Sequence, residues 1–295
     1  HGNTSIESFY VTVLDDEPPV LFTPEANTTA YTSGSCEAVV NYTEPQFIDY
    51  GTIVSPLTVS ISPVTATTGS TFPVGETEVT YMVIDSSGNT LSYPITITVI
   101  DDEDPIITCP SGSPFSRIVD EDKGYYTAQG TEFDPMYSDN CDVTVTNDFN
   151  NSSSLAGATL PVDTTTITWT VTDDSNNSVS CQIEVTVEDN EPPVIQNCPD
   201  ATVISFADPG ECAFIIPGAE YDPYGFSDNN GLSKLTYQID SEPEVGTDMN
   251  TTLGGVAIPV GTTSEPTTTV VWRVYDLSGN SSIICQTEYT IADNE

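Results

Sequence analysis

The chain contains 295 residues, with 45 acidic and 4 basic side chains and a formal net charge of −41. That imbalance excludes a nucleic-acid partner, because binding to phosphates depends on Lys and Arg. It also argues against docking on an anionic membrane surface. The one histidine is His1, so no internal histidine is available as a base or metal ligand. No apolar run approaches the roughly 18 residues that a membrane span requires, so no membrane insertion is expected.

The hydrophobic pattern predicts a folded all-β chain rather than the disorder that high net charge often signals. Hydrophobic residues make up 37% of the chain, and in segments 77–83 and 95–99 they alternate with polar residues. Alternation places every second side chain on one face of a strand, and Val, Ile, Thr and Tyr suit a half-buried pleated surface. Frequent Pro and Gly residues limit the strands to short lengths, which is typical of a β-sandwich.

An internal repeat organises the chain. An acidic junction ending in proline occurs at 15–19, 101–105 and 189–193. The predicted domains are 1–14 as the last strand of a preceding repeat, three repeats at 15–100, 101–188 and 189–295, and an insertion near 240–268 in the third. The chain is therefore expected to be a segment of a longer tandem array.

Two further motifs recur in each repeat. An aromatic-x-Asp motif ends at Asp49, Asp139 and Asp228, and a five-residue turn motif begins with Asp and ends with Asn at 85–89, 173–177 and 276–280. A β-strand that precedes the turn carries Tyr81, Trp169 or Trp272 at one equivalent position, where we expect a buried core aromatic. The strands of the first repeat are expected near 20–23, 27–31, 36–42, 54–62, 70–73, 76–84 and 91–100.

The pattern resembles the HYR (hyalin repeat) family of immunoglobulin-like modules. The resemblance is carried by the junctions, by the segments 107–110, 138–141 and 69–75, and by the run from Val79 to Asn89. It implies tandem immunoglobulin-like β-sandwich modules arranged as a linear rod. The acidic, Thr- and Asn-rich composition is also similar to the SprB-type surface adhesins of gliding Bacteroidetes. The first repeat departs from the pattern, with Thr23 where the second has a cysteine.

The cysteines of the repeats indicate two disulfide bonds in such a sandwich. Cys109 and Cys198 share one repeat position, and Cys181 and Cys285 share another; the first repeat has neither cysteine. This co-occurrence suggests the bonds Cys109–Cys181 and Cys198–Cys285, with Cys198–Cys212 as the rival pairing. The remaining cysteines are expected to be buried as small apolar residues, and they are Cys36, Cys141 and Cys212. Disulfides imply an oxidising, extracellular setting.

The acidic motifs are predicted to converge on one pole of each module, where their mutual repulsion calls for cations. Four basic residues cannot neutralise 45 acids, and Ca²⁺ prefers several oxygen ligands in flexible geometry. Ordinary turns and a solvated surface are the alternative explanation of the same residues. The predicted ligands of the three sites are Asp15, Asp16, Glu17, Asp49, Asp85 and Asn89; Asp101, Asp102, Glu103, Asp104, Asp139, Asn140, Asp173 and Asn177; and Asp189, Asn190, Glu191, Asp228, Asp276 and Asn280.

Three functions are compatible with these features. The favoured prediction is a non-catalytic segment of a secreted, calcium-stiffened surface adhesin or filament, with neighbouring repeats of the same chain as partners. A calcium-dependent glycan-binding module is the second, since aromatic residues flank the junctions, and surface glycans would then be the partner. An enzyme is not expected, because the sequence contains no nucleophile–base constellation and no phosphate-binding loop. A stalk of a larger extracellular enzyme is a further alternative.

Overall fold

A computed structural model describes residue 2 and residues 4–24, 27–50, 57–262 and 266–293. The chain divides into two compact units. The first comprises His1–Thr108, Met136–Val145 and Thr170–Ser180, and the second comprises Cys109–Pro135, Thr146–Trp169 and Cys181–Glu295.

The first repeat contains eight strands. They are β1 (Val20–Thr23), β2 (Thr28–Tyr31), β3 (Glu37–Val40), β4 (Gln46–Ile48), β5 (Thr58–Ser62), β6 (Ser70–Pro73), β7 (Gly75–Ile84) and β8 (Thr90–Ile100). Each predicted strand corresponds to one of these, with residues 54–56 of one prediction lying outside the described residues. The short strand β4 is not predicted by the sequence pattern, because it contains only three residues.

The second repeat contains another eight strands. They are β9 (Ile106–Thr108), β10 (Phe115–Ile118), β11 (Tyr125–Thr127), β12 (Met136–Ser138), β13 (Val143–Asn147), β14 (Thr159–Pro161), β15 (Asp163–Asp173) and β16 (Ser178–Glu188).

The third repeat again has eight strands and one short 3₁₀ helix, Ala219–Tyr221. The strands are β17 (Val194–Asn197), β18 (Thr202–Phe206), β19 (Ala213–Ile215), β20 (Tyr224–Ser227), β21 (Leu232–Ile239), β22 (Ala257–Pro259), β23 (Thr268–Asp276) and β24 (Ser281–Ala292). In the described part of the chain, no helix is long or apolar enough to cross a membrane.

The three repeats share one topology. Each has a four-stranded sheet and two two-stranded sheets, and the four-stranded orders are β2-β8-β7-β5, β10-β16-β15-β13 and β18-β24-β23-β21. The last strand of each repeat runs parallel to the second strand, as in β2 with β8 and β18 with β24, and antiparallel to its hairpin partner, as in β7 with β8. Each repeat is therefore an all-β, immunoglobulin-like sandwich.

Alternation along the long strands builds the cores. In β7 and β8, the inward residues Val79, Tyr81 and Ile97 pack against Phe72 of β6 and other buried residues. Tyr81, Trp169 and Trp272 are at most 2% exposed, which confirms the predicted core aromatic. A fully buried Trp contributes a large apolar surface to a small domain, so this position anchors the sandwich.

The extra length of the third repeat surrounds strand β22. Residues 240–256 separate β21 from β22, and residues 260–267 separate β22 from β23. In the first repeat, the strands that correspond to β22 and β23 are β6 and β7, and a single residue separates them. Residues 263–265 of the predicted insertion lie outside the described residues.

The segment that precedes the first repeat forms no strand in its described residues 4–14. Its apolar side chains are exposed, with Phe9 at 85% and Tyr10 at 96% of full exposure. A strand needs a hydrogen-bonding neighbour, and none of the described strands pairs with this segment. Its assignment to a preceding repeat stays a prediction.

Candidate metal centre

Three clusters of carboxylates form where the acidic junctions meet the two recurring motifs. We call them the Asp15 cluster (Asp15, Asp49 and Asp85), the Asp101 cluster (Asp101 and Asp139, next to Cys141) and the Asp189 cluster (Asp189, Asp228 and Asp276). In each, the potential ligand atoms lie within 4.8 Å of one another. The predicted convergence of junction, loop and turn carboxylates is thus present in the Asp15 and Asp189 clusters, whereas the Asp101 cluster lacks the turn aspartate Asp173.

The turn motif positions its own aspartate, which belongs to the Asp15 and Asp189 clusters, through its own backbone. Asp85 Oδ1 accepts hydrogen bonds of 2.8 Å from the N–H groups of Ser87 and Asn89. The turn needs a residue with positive φ before the final Asn, and Gly88 (φ 93°) supplies it; Asn176 and Gly279 do so in the other repeats. Gly and Asn tolerate that conformation best, which explains why the motif carries these residue types.

The final Asn of the turn clamps the junction. The side-chain Nδ2 of Asn89 donates to Asp85 Oδ2 (2.8 Å) and to the backbone oxygens of Asp15 (3.2 Å) and Glu17 (3.1 Å). Asn177 Nδ2 donates in the same way to the carbonyl of Asp101, and Asn280 Nδ2 to that of Asp189. These amides are predicted metal ligands, and in the structure their nitrogens fix the junction backbone to the turn.

The turn aspartates are buried, and their carboxylate oxygens accept hydrogen bonds from the turn and from its final Asn. Asp85, Asp173 and Asp276 are 6%, 5% and 2% exposed. Burial would raise the pKa of Asp85, but hydrogen bonds from Asn89, Ser87 and Gly88 outweigh burial and lower its pKa. Asp173 is a predicted ligand that lies outside the close group around Asp101, and its carboxylate oxygens accept hydrogen bonds from its own turn.

The aromatic-x-Asp loop supplies the second member. Asp139 Oδ2 accepts a hydrogen bond from the N–H of Cys141 (3.0 Å), and Asp228 Oδ2 accepts from Asn230 (2.8 Å) and Gly231 (2.9 Å). The motif aromatics Phe47 and Phe226 pack against the cores, which holds the loop on the sandwich. The aromatic residues that flank the junctions, and that a glycan-binding module would use, are Phe47, Tyr50, Tyr137, Tyr221, Tyr224 and Phe226. Of these, Tyr50, Tyr137 and Tyr224 are exposed, and Tyr221 packs against the core.

Asp101 is the most deeply buried junction carboxylate, at 3% exposure. Its Oδ1 accepts hydrogen bonds from Thr32 Oγ1 (2.8 Å), Asn140 Nδ2 (3.1 Å) and the N–H of Glu103 (3.3 Å). Burial would raise the pKa of Asp101, but these three donors lower it below the ordinary value. The carboxyl group is therefore held ionised inside the protein.

The second oxygen of Asp101 has no donor. Asp101 Oδ2 and the neighbouring Asn140 Oδ1 are buried acceptor atoms without a hydrogen-bond partner. An ionised carboxylate oxygen that is removed from water without compensation carries a large free-energy penalty. Two unpartnered acceptors on residues that contact each other through Asn140 Nδ2 and Asp101 Oδ1 favour a nearby positive charge.

The Asp189 cluster repeats this arrangement with different donors. Asp189 is 7% exposed and accepts hydrogen bonds from Asn229 Nδ2 (3.3 Å) and Ser278 Oγ (3.2 Å). Asp228 Oδ1 and Asn229 Oδ1 are buried acceptors without a partner. Burial raises the pKa of Asp228, and the neighbouring charges of Asp189 and Asp276 raise it further, although hydrogen bonds from Asn230 and Gly231 oppose them.

The Asp15 cluster carries the same signal more weakly. Asp49 Oδ1 is a buried acceptor without a partner, whereas Asp15 itself is only half-buried. Of the nine unpartnered buried polar atoms in the described residues, three are carboxylate oxygens of these clusters and two more are the amide oxygens of the adjacent Asn140 and Asn229.

Other predicted ligands stand around the clusters rather than in them. Glu103 accepts a hydrogen bond from the N–H of Gly34 (2.7 Å), and Glu191 accepts one from the N–H of Asp122 (3.2 Å). The remaining junction residues are exposed, and they are Asp16, Glu17, Asp102, Asp104 and Asn190. Analysis of the repeats did not predict Asn229 as a site residue, although Asn229 occupies the position that Asn140 has in the second repeat. It also did not predict the hydrogen-bond donors Thr32 and Ser278.

No ion pair in the described part of the chain joins a basic side chain to a cluster carboxylate. The ion pairs in the described part of the chain join Arg117 to Glu132 and Arg273 to Glu244. Neither pair includes a cluster carboxylate, and Lys234 lies over the ring of Tyr275. The negative charge of the clusters is therefore left to solvent ions or to a bound cation.

Three disulfides are present, including the bonds Cys109–Cys181 and Cys198–Cys285. The third joins Cys36 to Cys141, so the expectation that these two are unpaired core residues is wrong, and Cys36 is exposed. Cys212 has no disulfide partner and is also exposed, so its expected burial and the rival pairing with Cys198 are wrong too. Because the sulfur of Cys141 is bonded to Cys36, it is not a thiolate metal ligand.

The chain is 30% identical to the protein named hyalin of Strongylocentrotus purpuratus over 292 residues, which cover 95% of this chain and 21% of that relative. It is 29% identical to hyalin of Lytechinus variegatus, covering 79% of this chain and 43% of the relative. The chain therefore spans about a fifth of the length of the first relative and less than half of the second.

A comparison with solved structures matches protocadherin gamma B2 cadherin domains 1–5 at 14% identity and a TM-score of 0.34, covering 95% of this chain and 61% of that one. Titin domains I67–I69 match at 9% identity and a TM-score of 0.34, covering 94% and 99%. The HYR domain family matches residues 14–99 and 100–187, which is more than half of the chain. The chain belongs to the HYR domain family.

Proposed function

We propose that this chain is a non-catalytic segment of an extracellular adhesion-type repeat protein, in which calcium bound at the acidic clusters stiffens the junctions between modules. The hyalin relatives and the HYR family support an extracellular repeat module. The disulfides support an oxidising compartment. The partners of each module are then its neighbours in the same chain. A place on a gliding bacterium stays a prediction from composition.

One observation carries the cation part of the proposal: Asp101 is 3% exposed and one of its carboxylate oxygens has no hydrogen-bond donor. Asn140 adds a second unpartnered oxygen beside it. A protein does not retain a buried, half-satisfied carboxylate without compensation from another group. A cation supplies that compensation directly.

The donor set favours calcium over other ions. Every available ligand atom is a carboxylate, amide or backbone oxygen, and no thiolate or imidazole stands in the clusters. Hard oxygen ligands suit Ca²⁺ and Mg²⁺ rather than zinc. Ca²⁺ accepts irregular oxygen geometry, whereas Mg²⁺ demands a near-octahedral set and retains water. Ligands drawn from a junction, a loop and a turn fit the more flexible ion.

Calcium would act as a link because the residues around Asp101 come from both sides of the junction. Thr32 and Gly34 follow β2 of the first repeat, and Asn140 follows β12 of the second. A cation held between the unpartnered oxygens of Asp101 and Asn140 would add a bond that bridges these segments. Without the cation, only the hydrogen bonds would oppose the mutual repulsion of the carboxylates in the Asp101 cluster.

Isothermal titration calorimetry tests the proposal on the full chain after removal of divalent ions with EGTA. Calcium titrated into the wild-type chain should bind, and Asp101→Asn should weaken one class of sites by at least about tenfold, a loss found even for outer partners of metal ligands. The matched control is Asp163→Asn, which removes the same charge from an exposed residue outside the clusters. Calcium should also protect the junction amides from hydrogen exchange.

If calorimetry detects no heat of calcium binding to the wild-type chain at millimolar calcium, the proposal is wrong. So would equal weakening by Asp101→Asn and Asp163→Asn, because the effect would then reflect net charge rather than a site. Magnesium in place of calcium is a further arm, and equal binding of both ions would contradict the choice of ion.

A further inference from the structure

The Asp101 and Asp189 clusters are built alike but are fastened differently. In both, an Asn donates to the junction carboxylate, and a glutamate of the junction accepts a backbone N–H from the turn of the preceding repeat. Only at the Asp101 cluster does a covalent bond, Cys36–Cys141, connect the preceding repeat to the loop that carries Asp139 and Asn140.

The equivalent position in the Asp189 cluster is a packing contact. Gly124 stands before β11 as Cys36 stands before β3, and Asn230 follows Asp228 and Asn229 as Cys141 follows Asp139 and Asn140. Gly124 lies against the backbone of the loop, where an added Cβ would meet the oxygen of Asn229 at 2.7 Å. One hydrogen bond, from Asn229 Nδ2 to the carbonyl of Lys123 (2.9 Å), completes this contact.

The disulfide acts on the metal-site residues through short paths. Cys141 donates its N–H to Asp139 Oδ2, and the adjacent Asn140 presents its unpartnered Oδ1 beside Asp101. On the other side, Cys36 ends the turn that contains Gly34, the donor to Glu103, and Thr32, the donor to Asp101. The bond therefore fixes both halves of the cluster relative to each other.

We infer that the Cys36–Cys141 disulfide pre-assembles the Asp101 cluster, so that this site binds calcium more tightly than the Asp189 site and keeps its arrangement when calcium is absent. The inference rests on the proposed calcium function of the clusters. Ordering a loop on binding costs affinity, and a covalent link that orders the loop beforehand removes that cost. At the Asp189 cluster, calcium must itself order the loop and overcome the mutual repulsion of Asp228, Asp189 and Asp276.

The test is a calcium titration of the full chain followed by NMR or by hydrogen exchange at two amides, those of residues 141 and 230. Both amides donate to a cluster aspartate, so each reports its own site. In the wild-type chain the amide at 141 should saturate at lower calcium. In Cys36→Ser/Cys141→Ser its midpoint should rise by about tenfold or more, while the midpoint at 230 stays unchanged.

A second measurement needs no added calcium. In EGTA the amide of Gly34 should stay protected in the wild-type chain and lose protection in the double variant, whereas the amide of Asp122 should exchange rapidly in both. Cys212→Ser is the matched control, because it replaces a cysteine that forms no disulfide. Fluorescence of the buried Trp169 and Trp272 checks that the second and third repeats of the double variant retain their cores, and hydrogen exchange in β7 and β8 checks the first repeat.

The outcomes separate this inference from the proposed function. If calcium shifts both amides but the double variant leaves the midpoint at 141 unchanged, the inference is wrong and the calcium function stands. If neither amide of the wild-type chain responds to calcium, the proposed function is wrong. Protection of Gly34 that survives in the double variant in EGTA also overturns pre-assembly by the disulfide.

Discussion

The asparagine that ends each turn motif provides the sharpest test of how a junction is held. In Asn280→Ala, the third repeat loses the bond from Nδ2 to the buried carboxylate of Asp276 (2.8 Å) and the bond to the carbonyl of Asp189 (2.9 Å). The contact to Glu191 at 3.5 Å is too long to contribute much. The backbone N–H of residue 280 still donates to Asp276 after the change.

The magnitude follows from the two bonds. A hydrogen bond to a charged acceptor contributes about 1.5–3 kcal/mol and a neutral one about 1 kcal/mol. Because Asp276 is 2% exposed and Asp189 is 7% exposed, water cannot easily replace the lost donor. We therefore expect the free energy of unfolding of the third repeat to fall by about 2.5–4 kcal/mol.

The assay is urea unfolding in EGTA, with the fluorescence of Trp272 as the probe in a Trp169→Phe background. Asn250→Ala is the control, since Asn250 is exposed and its backbone N–H, rather than its side chain, makes the bond to Asp248. A loss below about 0.5 kcal/mol, or the same loss in the control, would refute the clamp as the structural reason for the motif.

Three further results are expected. The folded-state pKa of Asp228 is raised, so the stability that its protonated form contributes is present below its unfolded pKa and is lost as pH rises through the folded pKa. Asp228→Asn in EGTA should therefore stabilise the chain at pH 7 and change its stability little at pH 3. Unfolding curves that show the reverse would contradict this expectation. Trp272→Ala should cost about 3–5 kcal/mol, because Trp272 is fully buried against Tyr237; a urea midpoint within error of wild type would disprove it. One equivalent of iodoacetamide should label the native chain at Cys212 alone, and mass spectrometry that finds no label, or a label on another cysteine, would show a different disulfide pattern.

Much of the fold follows from the sequence because it is local. Alternation sets which face of β7 and β8 is buried, and Pro and Gly set where strands end. The core position of Tyr81, Trp169 and Trp272 follows from the same pattern. The three-residue strand β4 escapes prediction, because so short a run carries no periodic signal.

The site is predictable only in part. The convergence of Asp15 with Asp49 and Asp85 follows from the repeat pattern, since each motif recurs in register. The bond between Cys36 and Cys141 does not, because comparison of repeats pairs positions within a module and this bond joins two modules. The direction of the Asn89 amide also escapes sequence analysis, because Asn can offer either a donor or an acceptor.

The parallel pairing of the second and last strands has a mechanical consequence. In the second and third repeats, Cys109–Cys181 and Cys198–Cys285 link the residues before β10 and β18 to the last strand, so tension along the chain passes through these covalent bonds and bypasses β10 and β18. The first repeat has no such bond between its own strands. Tension that pulls its parallel strands β2 and β8 past each other loads the hydrogen bonds between them together, instead of opening them one at a time from an end.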